Sequence, residues 1–345
     1  MIEIDGGHGE GGGQILRTAL SLSCLFRKPF RMFDVRRGRP RPGLMPQHLA
    51  AVGAAGRISG AKVSGDTLGS TGLVFSPGEP RCGEIILDIG TAGSTVLVLQ
   101  TIVPALLFAS GESDVVLSGG THVPFSPSYH YAAGVFAPAL RRLGLDVRLS
   151  IDSYGFYPRG GGTIRARLVP AREIAPLRAV EPGTLLAVTG ESGAGNLPLA
   201  IAERQKEAAL AKIGPAIGGA GVRAEVRAVS VPTPGHGTFI FLMAESEGAA
   251  AGFCALGARG KRAEAVGAEA AGALLEHVAT GAALDPRLAD QVVPYLAMSG
   301  GESEFTTSRV TRHLLTNLWA VGLFRPFRYD VEGELGKPGR VRIRP

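Results

Sequence analysis

Short apolar runs of strand character alternate with longer runs of helical period along almost the whole chain. The strand patterns fall at Met1–Asp5, Phe30–Arg36, Glu84–Ile89, Asp114–Ser118, Leu145–Ile151 and Thr163–Val169. In the last of these, Ile164, Ala166 and Leu168 alternate with Arg165 and Arg167, which predicts a sheet with one wet face. Helical periodicity covers Gly12–Leu25, Pro46–Ser59, Ser94–Ala109, Tyr129–Leu143, Arg262–Ala279, Pro286–Met298 and Arg309–Val321. Strands that trade places with helices in this way predict an α/β or α+β fold with helices packed on sheets.

Glycine-rich turns run into aliphatic helices three times, over 9–23, 90–107 and 299–321, and this recurrence predicts structural repeats. The segment 181–279 differs from its flanks. Its pattern is strand (Leu185–Thr189), helix (Leu197–Ile213), two strands (Arg223–Val229 and Thr238–Met243) and helix (Arg262–Ala279). A self-contained α/β unit there is expected to be an inserted domain, with 1–180 and 280–345 forming one large repeat domain.

The chain has 50 glycines in 345 residues, an excess that suggests disorder until the 45% hydrophobic and 19% charged fractions are set beside it. Such a chain can bury a substantial core, and its glycines are clustered, at 6–13, 90–93, 118–120, 159–162, 217–221 and 298–301. A net charge of +6 favours anionic partners. Cys24, Cys82 and Cys254 have no metal-ligand spacing, which is expected for reduced thiols in a cytoplasmic protein. The first residues carry no signal-peptide pattern, and the longest apolar run, Val96–Ala109, is interrupted by Gln100 and Pro104, so no membrane span is expected.

Three constellations could carry chemistry. In His8–Gln14 consecutive glycines free backbone N–H groups to approach a phosphate, and Glu10 among them would be repulsive there unless a divalent cation intervened. A tight turn with a capping acid is the alternative reading. Arg36, Arg37, Arg39 and Arg41, stiffened by Pro40 and Pro42, could clamp phosphates or lie in a solvated loop. His313 and Asn317 share a helix face at i and i+4, so Asn317 is expected to fix the imidazole and leave one ring nitrogen as a nucleophile; a packing histidine is the plainer alternative. The chain has no H-x-x-x-H pair, no G-x-S-x-G elbow and no Walker A loop, which argues against zinc enzymes, α/β-hydrolases and P-loop NTPases.

Taken together, DGGHGEGGGQILRTALSLS, the RxGRxxPGL stretch with QHL at 36–49, GTAGSTVLVLQT, SGGTHVPFSP, GFYPRGGG, LADQ at 288–291 and HLLTN at 313–317 resemble the RNA 3′-terminal phosphate cyclases along essentially the whole chain. The resemblance implies repeated βαβαββ units, as in the enolpyruvyl transferases, with a thioredoxin-like α/β insert that here lacks C-x-x-C. It implies an ATP-dependent conversion of an RNA 3′-phosphate to a 2′,3′-cyclic phosphodiester through AMP carried on His313. Arg17, Arg36, Arg39 and Gln47 would serve phosphate and RNA; Gln100, Arg287, Leu288, Ala289, Asp290 and Gln291 would serve ATP; Glu10 would hold Mg²⁺ or Mn²⁺. Arg287 stands where relatives usually carry an aromatic residue that stacks on adenine, and Val123 replaces a residue that is polar in some relatives. A non-catalytic RNA-binding scaffold of the same fold is the alternative, although relatives in that branch lack the histidine. A homodimer is a reasonable expectation.

Overall fold

The structure, a computed structural model, describes residues 1–217 and 221–345, so 218–220 of the glycine cluster at 217–221 lie outside it. Among the described residues, sixteen strands form four sheets of four strands each, and three of these sheets have one topology. In the first, strand Ile2–Asp5 runs parallel to Phe30–Phe33 across helix Gly13–Phe26. Helix Pro46–Ser59 then leads to Lys62–Ser64 and Leu73–Ser76, an antiparallel pair whose second member docks beside Phe30–Phe33. The second sheet repeats this order with Gly83–Asp88, helix Thr95–Leu107, Ser113–Gly119, the helical stretch Tyr129–Arg142, Val147–Ser153 and Gly162–Leu168. In the third, Arg178–Ala179 pairs parallel with Ser303–Thr307, which is followed by helix Arg312–Phe324 and the hairpin Arg328–Glu332 and Gly339–Arg344.

The fourth sheet interrupts the third unit. Strand Leu185–Gly195 lies between Arg223–Ser230, its parallel neighbour, and the antiparallel pair Gly237–Ser246 and Ala250–Leu256. Helices Leu199–Ile217 and Ala263–Ala279 cover it and close a separate core that includes Val188, Ile213, Ile240, Leu242, Val266 and Leu274. The interrupting sheet thus has one strand more than the sequence pattern shows. Ala250–Leu256 is mostly small residues, so its alternation is faint.

Local chemistry explains several boundaries. Strand Phe30–Phe33 stops short of Arg36 because Asp34 and Arg36 both turn to positive φ. The third glycine-rich entry, 299–321, is not a direct turn into a helix: Ser303–Thr307 is a strand, and the helix begins at Arg312 after Thr311, whose Oγ1 accepts from the Leu314 N–H. The single helix expected over Pro286–Met298 is two, Pro286–Gln291 and Val293–Leu296. Pro294 has no N–H for the Asp290 carbonyl, and the Asn317 side chain takes its place, with Nδ2 donating to that oxygen at 2.7 Å.

Helices Gly13–Phe26, Thr95–Leu107 and Arg312–Phe324 pack inside the sheets, and Ile15, Leu20, Leu99, Ile102, Leu314 and Leu318 are fully buried between them. Burial of these side chains contributes roughly 1.5–3 kcal/mol each and fixes the helix ends relative to one another. Several contacts tie the interrupting sheet to this frame, two of them through buried or half-buried polar side chains. His122 meets His130 at 2.9 Å and His130 meets Glu191 at 3.0 Å, while buried Asp285 accepts from Tyr131 and from the Gly252 N–H. Among the described residues, no helix is long and apolar enough to cross a membrane.

Candidate active site

The first turns of two of these helices meet at His313. Gln14, on Gly13–Phe26, places Oε1 2.5 Å from His313 Nδ1, and its Nε2 donates to Asp290 Oδ2 at 3.0 Å. In its ionised form Asp290 can only accept, and it then orients the Gln14 amide with its oxygen toward the ring. Nδ1 must then carry the proton, and the lone pair is left on Nε2. Asn317 does not hold His313 as the helix spacing suggested. Its Nδ2 is committed to the Asp290 carbonyl and its Oδ1 to the Thr18 hydroxyl at 2.6 Å. Asn317 therefore positions Asp290, which positions Gln14, which positions His313.

Partial burial, with Arg17 and then Arg39 nearby, lowers the His313 pKa from its ordinary value, so the imidazole is neutral at pH 7. Burial, and next Asp285, push the Asp290 carboxyl up to about 7, against the pull of Arg17 and the Gln14 hydrogen bond. Arg17 itself is brought down to about 10 by burial, with Asp290 opposing, and so remains a cation at neutral pH.

His313 opens onto a cavity of about 1620 Å³. Small-molecule pockets span roughly 300–1000 Å³, so this one has room for more than a single nucleotide. Arg17, Arg36 and Arg39 line it, together with Gln47 and His48. Arg37 and Arg41 do not; Arg37 pairs with Asp34 at 3.0 Å. Arg36 spends part of its guanidinium on its own loop, donating to the Arg41 and Gly43 carbonyls at 2.8 Å each. Gln47 is similarly committed, since its Oε1 accepts from the Ser94 N–H and its Nε2 faces the Ser94 carbonyl. It braces the loop before helix Thr95–Leu107 rather than offering a free amide. His48, of the QHL motif, accepts the Met45 N–H on Nδ1, and burial with Arg17 and Arg36 pushes it down to about 3.

The glycines make room for these side chains. A Cβ on Gly12 would strike the Glu10 carboxylate and Arg39, and one on Gly13 would strike His48 and Arg17. Clearance at 12–13 therefore serves the site's own groups, not only a phosphate.

Four buried polar atoms on this cavity have no partner among the described residues: Glu10 Oε2, Ser21 Oγ, Gln100 Nε2 and Gln291 Oε1. Each such group costs about 1–3 kcal/mol, which a polar ligand would recover. Arg287, exposed, lies on the same lining with Asp290. Leu288 and Ala289 do not. Helix Pro286–Gln291 turns both into the core, at 2% and 0% exposure, so the cavity-facing part of this segment reduces to Arg287, Asp290 and Gln291. Gln14 closes the GEGGGQ run, but its positioning role has no local sequence signal, because its partner lies 299 positions away.

Among the described residues, no three His, Cys, Asp or Glu side chains gather around one point. Glu10 is ion-paired to Arg39, its Oε1 is 4.0 Å from His313 Nε2, and its other oxygen is unpartnered. A lone carboxylate of this kind suits Mg²⁺ or Mn²⁺ bound largely through substrate phosphates and water.

Three βαβαββ units surrounding a histidine-bearing cavity define a mixed α/β enzyme. The family described as RNA 3′-terminal phosphate cyclase matches residues 8–331, and the chain belongs to that family. It is 44% identical to the RNA 3′-terminal phosphate cyclase of Methanopyrus kandleri over 100% of this chain and 99% of the relative. The protein of that name from Thermococcus kodakarensis is also 44% identical, over 99% of this chain and 98% of its own. The one from Methylococcus capsulatus matches at 44% over 99% and 96%. Among solved structures, the enolpyruvyl transferase NikO from Streptomyces tendae aligns with 49% of this chain and 33% of its own at TM-score 0.28 and 18% identity, too slight a likeness to bear on the fold.

Proposed function

We propose that the chain converts an RNA 3′-terminal phosphate to a 2′,3′-cyclic phosphodiester at the expense of ATP, with His313 as the nucleophile. The observation that carries this reading is the Asp290–Gln14–His313 chain, which leaves an uncharged Nε2 lone pair open to a cavity lined by Arg17, Arg36 and Arg39.

In the first step His313 Nε2 forms a bond to the α-phosphorus of ATP while the bond to pyrophosphate breaks. Arg17, Arg36 and Arg39 offset the charge on the phosphates, and burial makes Arg17 more effective than an exposed cation. The Nδ1 proton stays on the ring, shared with Gln14, and stabilises the charge the imidazole gains. An oxygen of the RNA 3′-phosphate next attacks the same phosphorus, the P–N bond breaks and His313 is restored. The 2′-hydroxyl then loses its proton as its oxygen attacks the 3′-phosphorus, and AMP departs. Without adenylylation that attack would have to expel an oxide, which is why the reaction requires ATP. Gln100 Nε2 and Gln291 Oε1, one donor and one acceptor left unpaired, suit the polar edge of a base, and Arg287 suits its face. A divalent cation at Glu10 would neutralise phosphate charge.

The test is incubation with α-labelled ATP. The protein should acquire an acid-labile, alkali-stable label that His313→Ala lacks, and 3′-phosphorylated RNA should discharge it into a cyclic end. Equal labelling of the variant overturns the assignment. RNA binding with no ATP turnover would identify a scaffold instead.

A further inference from the structure

Phe125 and Tyr157 lie on the lining of the same cavity as His313, yet neither packs into the protein: Phe125 is fully exposed, at 104%, and Tyr157 is 68% exposed. Phe125 also holds φ at +61°, a left-handed conformation that non-glycine residues adopt at a cost of about 1 kcal/mol or more. An aromatic ring kept in water on a strained backbone contributes nothing to the core. The cost is understandable if the ring is displayed for a ligand.

The turns that carry the two rings are built in. Ser126 Oγ donates to the Val123 carbonyl at 2.9 Å, and the Gly160 N–H donates to the Phe156 carbonyl at 2.7 Å. Both turns lean on the Thr91–Ser94 loop. A Cβ on Gly160 would strike the Thr91–Ala92 backbone, and Gly120, beside Val123, would likewise strike Ala92. Gln47 braces this loop, which leads into the helix bearing Gln100. The backbone turns that carry the rings are thus braced against the loop beside the reaction centre. Arg159, two residues after Tyr157, is exposed.

We propose that Phe125 and Tyr157 form a stacking platform for the bases upstream of the RNA 3′-phosphate, with Arg159 following the backbone. This rests on the reading of the cavity as an RNA-end cyclisation site. A terminal phosphate held among Arg17, Arg36 and Arg39 requires the rest of the strand to leave by the open side, and the exposed rings are there. Stacking recognises any base by its face and so does not select sequence. Two rings also suit a single strand better than a duplex, whose bases are already stacked.

The test uses a 3′-phosphorylated oligoribonucleotide with 2-aminopurine at the second or third position from the 3′ end. Its fluorescence should be quenched on binding to the wild-type protein. Phe125→Ala and Tyr157→Ala should each raise Kd about tenfold. The double variant should lose the quench, Phe125→Trp should keep it, and all should melt like the wild type. A nucleoside 3′-monophosphate, which has no upstream base, should bind every variant equally. Unchanged Kd and quench in the double variant overturn the proposal. Because binding is read without chemistry, a wild-type protein that stacks the oligonucleotide but forms no cyclic end would refute the functional reading and leave the platform standing.

Discussion

Gln14 holds His313: its Oε1 lies 2.5 Å from the ring Nδ1, across the gap between the first helix of the chain and the last. The two residues are 299 positions apart, and neither is informative without the other. Replacing Gln14 by Leu removes the acceptor and frees the ring to rotate and exchange tautomers. Self-adenylylation should fall roughly 100-fold, the usual scale for misplacing a reacting group by about 1 Å. Ring ¹⁵N shifts provide a direct check. They should report Nδ1–H on His313 in the wild type and a mixture of tautomers in Gln14→Leu; Nε2–H in the wild type would show that the amide is oriented the other way.

Glu10 has one oxygen paired with Arg39 and one buried and unpaired. If that second oxygen is a cation ligand, Glu10→Gln should shift the half-saturating Mg²⁺ or Mn²⁺ concentration for His313 labelling upward by about tenfold or more while excess metal restores much of the rate. Full labelling by Glu10→Ala at limiting metal would remove the carboxylate from the metal's coordination sphere.

How much of this was legible in the sequence depends on range. Elements with a strong period stand where expected: Pro46–Ser59 is a helix to the residue, and Ile164, Ala166 and Leu168 face the core while Arg165 and Arg167 face water. The strands the pattern left out are the ones with weak local signal, such as Lys62–Ser64, or Arg178–Ala179, which exists only because Ser303–Thr307 pairs with it. The site divides along the same line. Glu10, Arg17, Arg36, Arg39, Gln100, Asp290, Gln291 and His313 all face one cavity. The partner of His313 is Gln14 and not Asn317: i, i+4 spacing is visible in a sequence, and a contact between two helix starts is not. Leu288 and Ala289 belong to a recognisable motif, but a motif does not say which of its side chains point inward.

Acid should weaken the fold through its buried imidazoles. Burial and neighbouring cations hold His48 down to about 3, and burial, then His130, holds His122 well below its ordinary value. Below about pH 6.5 the unfolded chain takes up these protons and the folded chain does not, so stability falls as pH falls, by about 1.4 kcal/mol per unit for each ring. Asp290, raised to about 7, works in the opposite sense: between pH 7 and its unfolded value the folded state binds the extra proton and gains stability. Two rings against one carboxyl leave a net loss. Urea midpoints should therefore decline from pH 6.5 to pH 5, and more steeply in Asp290→Asn, where the opposing contribution is gone. A midpoint that rises with acid would mean the imidazoles charge freely inside the fold.

Arg287 is exposed on the wall that carries Gln100 and Gln291, where its guanidinium can lie flat on a base. Such stacking is worth about 0.5–1 kcal/mol at an exposed site and 2 when desolvated, and depends on the planar group rather than the charge alone. Arg287→Ala should raise the ATP concentration needed for half-maximal labelling by about three- to thirtyfold. Arg287→Lys should rescue little, because it restores charge without a plane, and Arg287→Tyr should recover most of the affinity. If choice of base rests instead on the two glutamines, Gln100→Ala should narrow the gap between ATP and GTP while Arg287→Tyr leaves that gap open. Labelling titrations with both nucleotides measure each value. A Lys variant as good as the wild type would mean that Arg287 acts on the phosphates.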